Sequence, residues 1–379
     1  MGYIDVDTHV IECEETWDCL DPSERQYRPV PLEAPGKQLY LIGETFTRRF
    51  PTDGRGSGFG AEYTADVTHL ENPAVRLREM DALGVDLQVL ISTAFIGGNL
   101  EHPVAEAAVM RAWNRWVAER TADTGGRLRW VLMAPTRLMD RAFEELEFGK
   151  QHGAVGVMLK GIHNGMFLSD PYLFPLYERA QDLDLTIVVH QGAARHHIEG
   201  LGIMNPPQSM AHNLHYTATP MQGMYAVIAS DMHQRFPRLR WAFVESGASW
   251  VPFVFHHFQR FRAALIPDSF IETDAGPSRD IEVLDVHTMM GEKHLYVSVE
   301  TDEDIPYLNS FVGDGHLMVA TDFCHNDIGS DPLAHTVVRN RADVGDALGR
   351  ALTETTGRRA YGLPVDAAVQ PSAARVTVS

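Results

Sequence analysis

Asp7 and His9 lie two residues apart in the opening run YIDVDTHV. Side chains alternate across an extended strand, so both point to one side and can grip one ion. An Asp-x-His pair is common by chance, and it gains weight only from its company. Further residues of the same chemistry close short apolar runs: Lys160 ends AVGVMLK, His190 ends LTIVVH, Glu245 ends RWAFVE, Glu300 ends HLYVSVE and Asp322 ends HLMVATD. The residues before His190 are uniformly apolar, so its ring is expected to be buried and to need a partner. A main-chain carbonyl would satisfy it; its place at a run's end, beside other ligand types, points to a metal instead. A carboxylate at Asp322 cannot stay charged in such apolar surroundings without a cation or a protonated neighbour.

Eight β-rich runs carry these residues, at 3–9, 86–92, 129–134, 154–160, 185–190, 240–245, 294–300 and 316–322. Patterns of helical period alternate with them, at 73–83, 103–121, 139–151, 171–183, 221–236, 250–264, 302–312 and 344–361. Proline opens some of these helices, and Thr301 with Asp304 resembles a capping box before the seventh. Regular alternation predicts a parallel α/β architecture. A doubly wound sheet would alternate too, but no Gly-x-Gly-x-x-Gly follows the first run. Eight strands predict a (β/α)8 TIM barrel with its chemistry at the carboxyl ends of the strands.

One such domain is expected over residues 1–363, with lid insertions over the C-terminal face at about 10–70 and 191–220, and a poorly ordered tail at 364–379. The first insertion holds a Gly-rich basic piece with Arg48, Arg49 and Arg55, read as a solvated loop before an anion-gripping flap. Phe46, Phe59, Met204 and Met210 either line a pocket for a bulky substrate or pack the lids.

Composition excludes several classes. The 379 residues are 44% hydrophobic and 22% charged, as in an ordinary globular chain. A net charge of −19 makes nucleic acid and acidic lipid surfaces unlikely partners by repulsion, and no run is apolar enough to span a membrane. The start of the chain is acidic where a secretory signal would be basic, so a cytoplasmic enzyme is expected. Cys13, Cys19 and Cys324 form no Cys-x-x-Cys pair and imply reduced thiols.

The opening IDVDTH, the fifth-strand VVH, the segment FPRLRWAFVESGASWVP and the late VATDFCH recur here in the order seen in the amidohydrolase superfamily. The chain resembles that superfamily's amidohydrolase-2 branch, which includes aromatic-acid decarboxylases and related metal-dependent hydrolases. The resemblance implies a distorted (β/α)8 barrel with one or two divalent ions at its carboxyl face. It also implies His-x-His or Glu-x-His from the first strand, a His from each of the fifth and sixth strands, and an Asp from the eighth. Here Asp7 replaces the first ligand, and Glu245 stands where the sixth-strand His is expected.

Asp7, Glu245 and Asp322 bring three negative charges, which favours two divalent ions with a bridging hydroxide, of iron, manganese or zinc. Lys160 stands where some relatives carry a carbamylated lysine bridging two metals; an ordinary ammonium facing a carboxylate is the equal alternative. Glu12 could reach the ions from beyond the first strand, while Glu300 is weaker because the acids after it already suit a helix N-terminus.

The expected chemistry is hydrolysis of an ester, thioester, lactone or amide of a small molecule. Asp7, His9, His190, Glu245 and Asp322, with Lys160, would hold the metal, and Asp322 would shuttle the proton. His325 or His196 would protonate the leaving group, ahead of His197, His212 and His215; His256 and His257 follow helical spacing and receive no role. The alternative is non-oxidative decarboxylation of an aromatic or unsaturated acid. A non-catalytic ligand-binding barrel is the distant third reading, and a homodimer is left open.

Overall fold

The computed structural model describes residues 2–34, 37–42, 45–48, 63–96, 100, 102–192, 210–261, 283–325 and 329–365; side chains at 33–34, 37–39, 45–48 and 210–216 are not described. Eight strands form one sheet in which each pairs in parallel with the next in sequence: β1 Tyr3–Val10, β2 Val85–Ser92, β3 Leu128–Met133, β4 Ala154–Lys160, β5 Thr186–His190, β6 Trp241–Val244, β7 Leu295–Val299 and β8 Leu317–Val319. Helices follow the strands, and the barrel is nearly closed. Every residue of β4 and β5 is buried, as expected of parallel strands covered on both faces.

The seam between β8 and β1 is held beyond the end of β8. Thr8 bridges Phe323 in parallel, and Asp322 N donates to Asp7 O at 3.1 Å. The buried Asp5 carboxylate accepts Thr321 N at 3.1 Å and also the Thr321 hydroxyl. The closing strand is three residues long, so these contacts do the work that a longer ladder does elsewhere, and they do it beside three candidate ligands, Asp7, His9 and Asp322.

All eight predicted strands are present. Pro73–Leu83, Pro103–Thr121 and Met139–Gln151 form helices as expected. Asn72 and His102 cap the first two of these, and Pro occupies the first turn, where no N–H is needed.

Other elements differ from expectation. The seventh helix is capped by Asp304, which accepts Tyr307 N at 3.1 Å, and Glu303 reaches back to Ala248 N and Ser249 N; the Thr301–Asp304 capping box is not formed. The helix expected at 221–236 runs Met210–Ile228 with Pro220 inside it, followed by a short turn at Met232–Arg235. The pattern at 344–361 is split into Gly345–Arg350, a wider turn at Ala351–Thr355, and Thr356–Ala360.

The first insertion contains a small sheet. Val30–Ala34, Lys37–Ile42 and Thr45–Arg48 make a three-stranded antiparallel sheet. Pro35-Gly36 and Gly43-Glu44 separate the runs in sequence, and Pro and Gly are residue types that favour turns. Arg49, Arg55, Phe59, Met204 and the tail from 366 lie outside the described residues, as do the side chains of Arg48, Phe46 and Met210. Among the described residues, no helix is long and apolar enough to cross a membrane.

Candidate metal centre

The strand ends converge at the barrel's carboxyl mouth. His9 Nε2 lies 3.5 Å from Asp7 Oδ1, 3.3 Å from His190 Nε2, 3.6 Å from Glu245 Oε2 and 3.1 Å from Asp322 Oδ1. Potential ligand atoms of Asp7, His9, His190 and Glu245 all lie within 4.8 Å of one another, and so do those of His9, Asp322 and His325. Five predicted ligands therefore meet, drawn from four separate stretches of the chain, with Asp7 and His9 both on β1. Glu245 directly follows β6, Asp322 lies three residues past the end of β8, and both take left-handed φ angles, of 56° and 53°. Non-glycine residues accept that conformation at a cost of about 1 kcal/mol or more, and here it turns the carboxylates into the mouth.

The ligands are oriented by groups that sequence reasoning did not single out. His190 Nδ1–H donates to the Gln191 carbonyl at 2.7 Å, which leaves Nε2 as the basic nitrogen facing Glu245 Oε2. The Gln191 amide donates to Glu245 Oε1 at 2.7 Å, and Glu245 N donates to Ser298 Oγ at 3.2 Å. His325 stacks on His9 with ring centroids 3.9 Å apart; its Nδ1 is 2.8 Å from Asp322 Oδ1 and its Nε2 3.1 Å from Thr93 Oγ1. The only available signal was position: Gln191 directly follows a strand-end histidine, and Thr93 follows β2.

Three predicted residues lie outside the ligand groups. Glu12 does not join the ligand groups; its carboxylate accepts Ala94 N at 2.8 Å and the Ser92 hydroxyl, because the chain beyond β1 turns it towards the end of β2. Lys160 belongs to neither group of ligand atoms; its buried Nζ donates to Ile96 O at 2.6 Å, close enough for Glu245 to influence it. Glu300 also lies outside both groups. His196 and His197 lie outside the described residues, and His212 and His215 fall where side chains are not described. His256 and His257 are exposed on the helix Val251–Phe261.

The electrostatics suit a cation. Burial, then the Glu245 and Asp322 carboxylates, push Asp7 well above the usual carboxylate range. Burial pulls His190 below its ordinary value, against the pull of Glu245. Burial opposes ionisation of Glu245, but the imidazoles of His190 and His9 outweigh it and hold its carboxyl well below the usual range. Burial brings Lys160 down to about 7, with Glu245 opposing. Asp7 is fully buried, and among the described residues neither of its oxygens has a hydrogen-bond donor; nor has Glu245 Oε2. Carboxylates buried without donors beside imidazole nitrogens are a donor set that fits a divalent metal ion.

Fold and site thus define a TIM-barrel protein with a cluster of carboxylates and imidazoles at its carboxyl mouth that could hold a metal ion. The amidohydrolase family model matches residues 4–267, and the chain belongs to that family, in its amidohydrolase-2 branch. A 2-amino-3-carboxymuconate-6-semialdehyde decarboxylase of Dictyostelium discoideum is 24% identical over 181 residues, 47% of this chain and 49% of that protein. The matched region thus spans about half the length of that curated relative. An amidohydrolase from Mycobacterium avium subsp. paratuberculosis K-10 has a similar structure, with a TM-score of 0.78 at 17% identity over 95% of this chain and 99% of that one. A dihydroxybenzoic acid decarboxylase from Polaromonas sp. JS666, with bound manganese and 2-nitroresorcinol, gives 0.60 at 16% identity over 95% and 97%. At these identities the structural likeness shows the fold.

Proposed function

We propose that this protein is a divalent-metal-dependent enzyme that removes carbon dioxide non-oxidatively from an aromatic or unsaturated carboxylic acid. The observation that carries the choice of reaction is that two relatives with an assigned reaction, from Dictyostelium and Polaromonas, are both decarboxylases. Asp7, His9, His190, Glu245 and Asp322 would hold the ion. When bound, it would supply the positive charge that orients a substrate carboxylate.

The chain's own groups account for the rest. Cleavage of the carbon–carboxylate bond leaves an electron pair on carbon, which must take up a proton as carbon dioxide departs. Asp322 and His325, 2.8 Å apart, share a proton position at the mouth and are the donor pair. Thr93 fixes the far nitrogen of His325. Lys160 adds a buried amine on the Glu245 side, suited to an anionic substrate. Replacing Lys160 with Met is expected to raise KM for the acid about tenfold or more, with kcat changed less, as initial rates would show.

We infer one ion where the charge count alone suggested two. The two groups of ligand atoms meet at His9 Nε2, and one nitrogen lone pair serves one cation. One divalent ion together with the Lys160 ammonium balances the three carboxylates.

Hydrolysis is the second reading, favoured by Glu245, an anionic oxygen donor where the family resemblance leads one to expect an imidazole. One experiment separates the readings. Metal-loaded protein is incubated with a panel of aromatic and unsaturated acids and of acyl esters and thioesters, following carbon dioxide and free acid, with metal counted per chain. Carbon dioxide from an acid and one ion per chain are expected. Ester or thioester cleavage without carbon dioxide release would overturn the proposal in favour of hydrolysis.

A further inference from the structure

Gln191 touches both the imidazole and the carboxylate that face each other across the site. Its main-chain carbonyl accepts the Nδ1 proton of His190, and its side-chain amide donates to Glu245 Oε1, each at 2.7 Å. The first contact fixes which nitrogen of His190 is basic. The second occupies one oxygen of Glu245 and leaves Oε2, which among the described residues has no hydrogen-bond donor, turned towards His190 and His9.

The chain around Gln191 is itself held. Gln191 N donates to Val244 O at 3.4 Å, tying it to β6 one residue before Glu245. The Gly192 carbonyl accepts the hydroxyl of the buried Thr219 at 2.8 Å. Gly192 has a φ of +133°, and a Cβ there would stand 2.4 Å from Ile96 O and 2.9 Å from Lys160 Nζ. Only glycine lets the backbone pass this close, so Gln191 leaves β5 on a single path.

We infer that Gln191 is a positioning residue for the metal centre: its amide holds Glu245 so that one carboxylate oxygen is presented to the ion, while its carbonyl sets the tautomer of His190. The inference rests on the metal-dependent reading above. Without the amide, Glu245 is free to rotate, and the second oxygen can compete for the ion or turn away from it. Groups that orient metal ligands typically contribute 10- to 100-fold in metal affinity, roughly, when removed.

The test uses the full chain and manganese(II) alone. Affinity is measured by competition with a chelator for wild type and Gln191→Leu, alongside the melting temperature of each metal-free protein and the electron paramagnetic resonance spectrum of the bound ion. The expected result is a loss of about 10- to 100-fold in affinity and an altered spectrum, with the metal-free melting temperature unchanged. Gln191→Met, apolar but unbranched, is read in the same way should the Leu variant misfold. Affinity within threefold of wild type would overturn the inference, as would a metal-free melting temperature lowered in both variants. If wild-type protein itself binds no manganese, the metal-dependent reading falls first, and the two failures are told apart by that control.

Discussion

Asp322→Asn is expected to lower kcat by about three orders of magnitude or more while leaving the fold intact. The carboxylate lies 3.1 Å from His9 Nε2 and 2.8 Å from His325 Nδ1 at the mouth, so it stands at both the ligand cluster and the proton-donor pair. Asn keeps the shape and removes the charge, and with it an anionic ligand and the proton acceptor for His325. The backbone tolerates the change because Asp322 sits at a φ of 53°, a conformation that Asn adopts more readily than most residues. Loss of turnover in a folded variant therefore reports charge and not collapse of the β8–β1 seam. Steady-state rates, metal content and the melting temperature of the variant form the check. Turnover within tenfold of wild type at full metal occupancy would remove Asp322 from the machinery.

The parts of the molecule visible in the sequence share one physical cause. A parallel barrel buries its strands on both faces, so TIVVH and AVGVMLK stand out as apolar runs, and any charged residue closing such a run is conspicuous. That contrast exposed His190, Glu245 and Asp322. Residues that act through hydrogen bonds leave no such contrast. Gln191 and Thr93 are ordinary polar residues at loop starts, and nothing in their spacing distinguishes them from residues that face water.

Glu12 shows the opposite failure, a residue of the right type in the right place whose loop turns it away. The small sheet of the first insertion was missed because three strands of four to six residues carry a weak period-2 signal. The proposal of one ion in place of two rests on geometry. Counting charges treats ligands as a sum, whereas His9 is common to both groups of ligand atoms and its Nε2 faces Asp7 and Asp322.

Glu12→Gln is expected to flatten the pH dependence of stability and to make the protein more stable than wild type above neutrality. Burial pushes the Glu12 carboxyl from its ordinary 4.5 up to about 7, although hydrogen bonds from Ser92 and from main-chain N–H groups oppose the shift. The folded state therefore holds a proton that the unfolded chain releases. The stabilisation is fully present below pH 4.5 and is lost as pH rises through about 7. A shift of this size corresponds to about 3 kcal/mol between those limits, for a side chain that is almost wholly buried. Gln is neutral throughout and does not incur that loss. Its carbonyl oxygen can still accept Ala94 N, and its amide can donate to a rotated Ser92 hydroxyl, so the clamp on the end of β2 is kept. That clamp holds the segment in which Thr93 meets His325 and Ile96 meets Lys160. Melting temperatures of metal-free wild type and variant should coincide near pH 4.5 and separate by several degrees at pH 8, the variant higher. A variant less stable than wild type at pH 8 would show that the ionised carboxylate and its donors outweigh burial, and that the charge of Glu12 itself secures the segment beside the proton-donor pair.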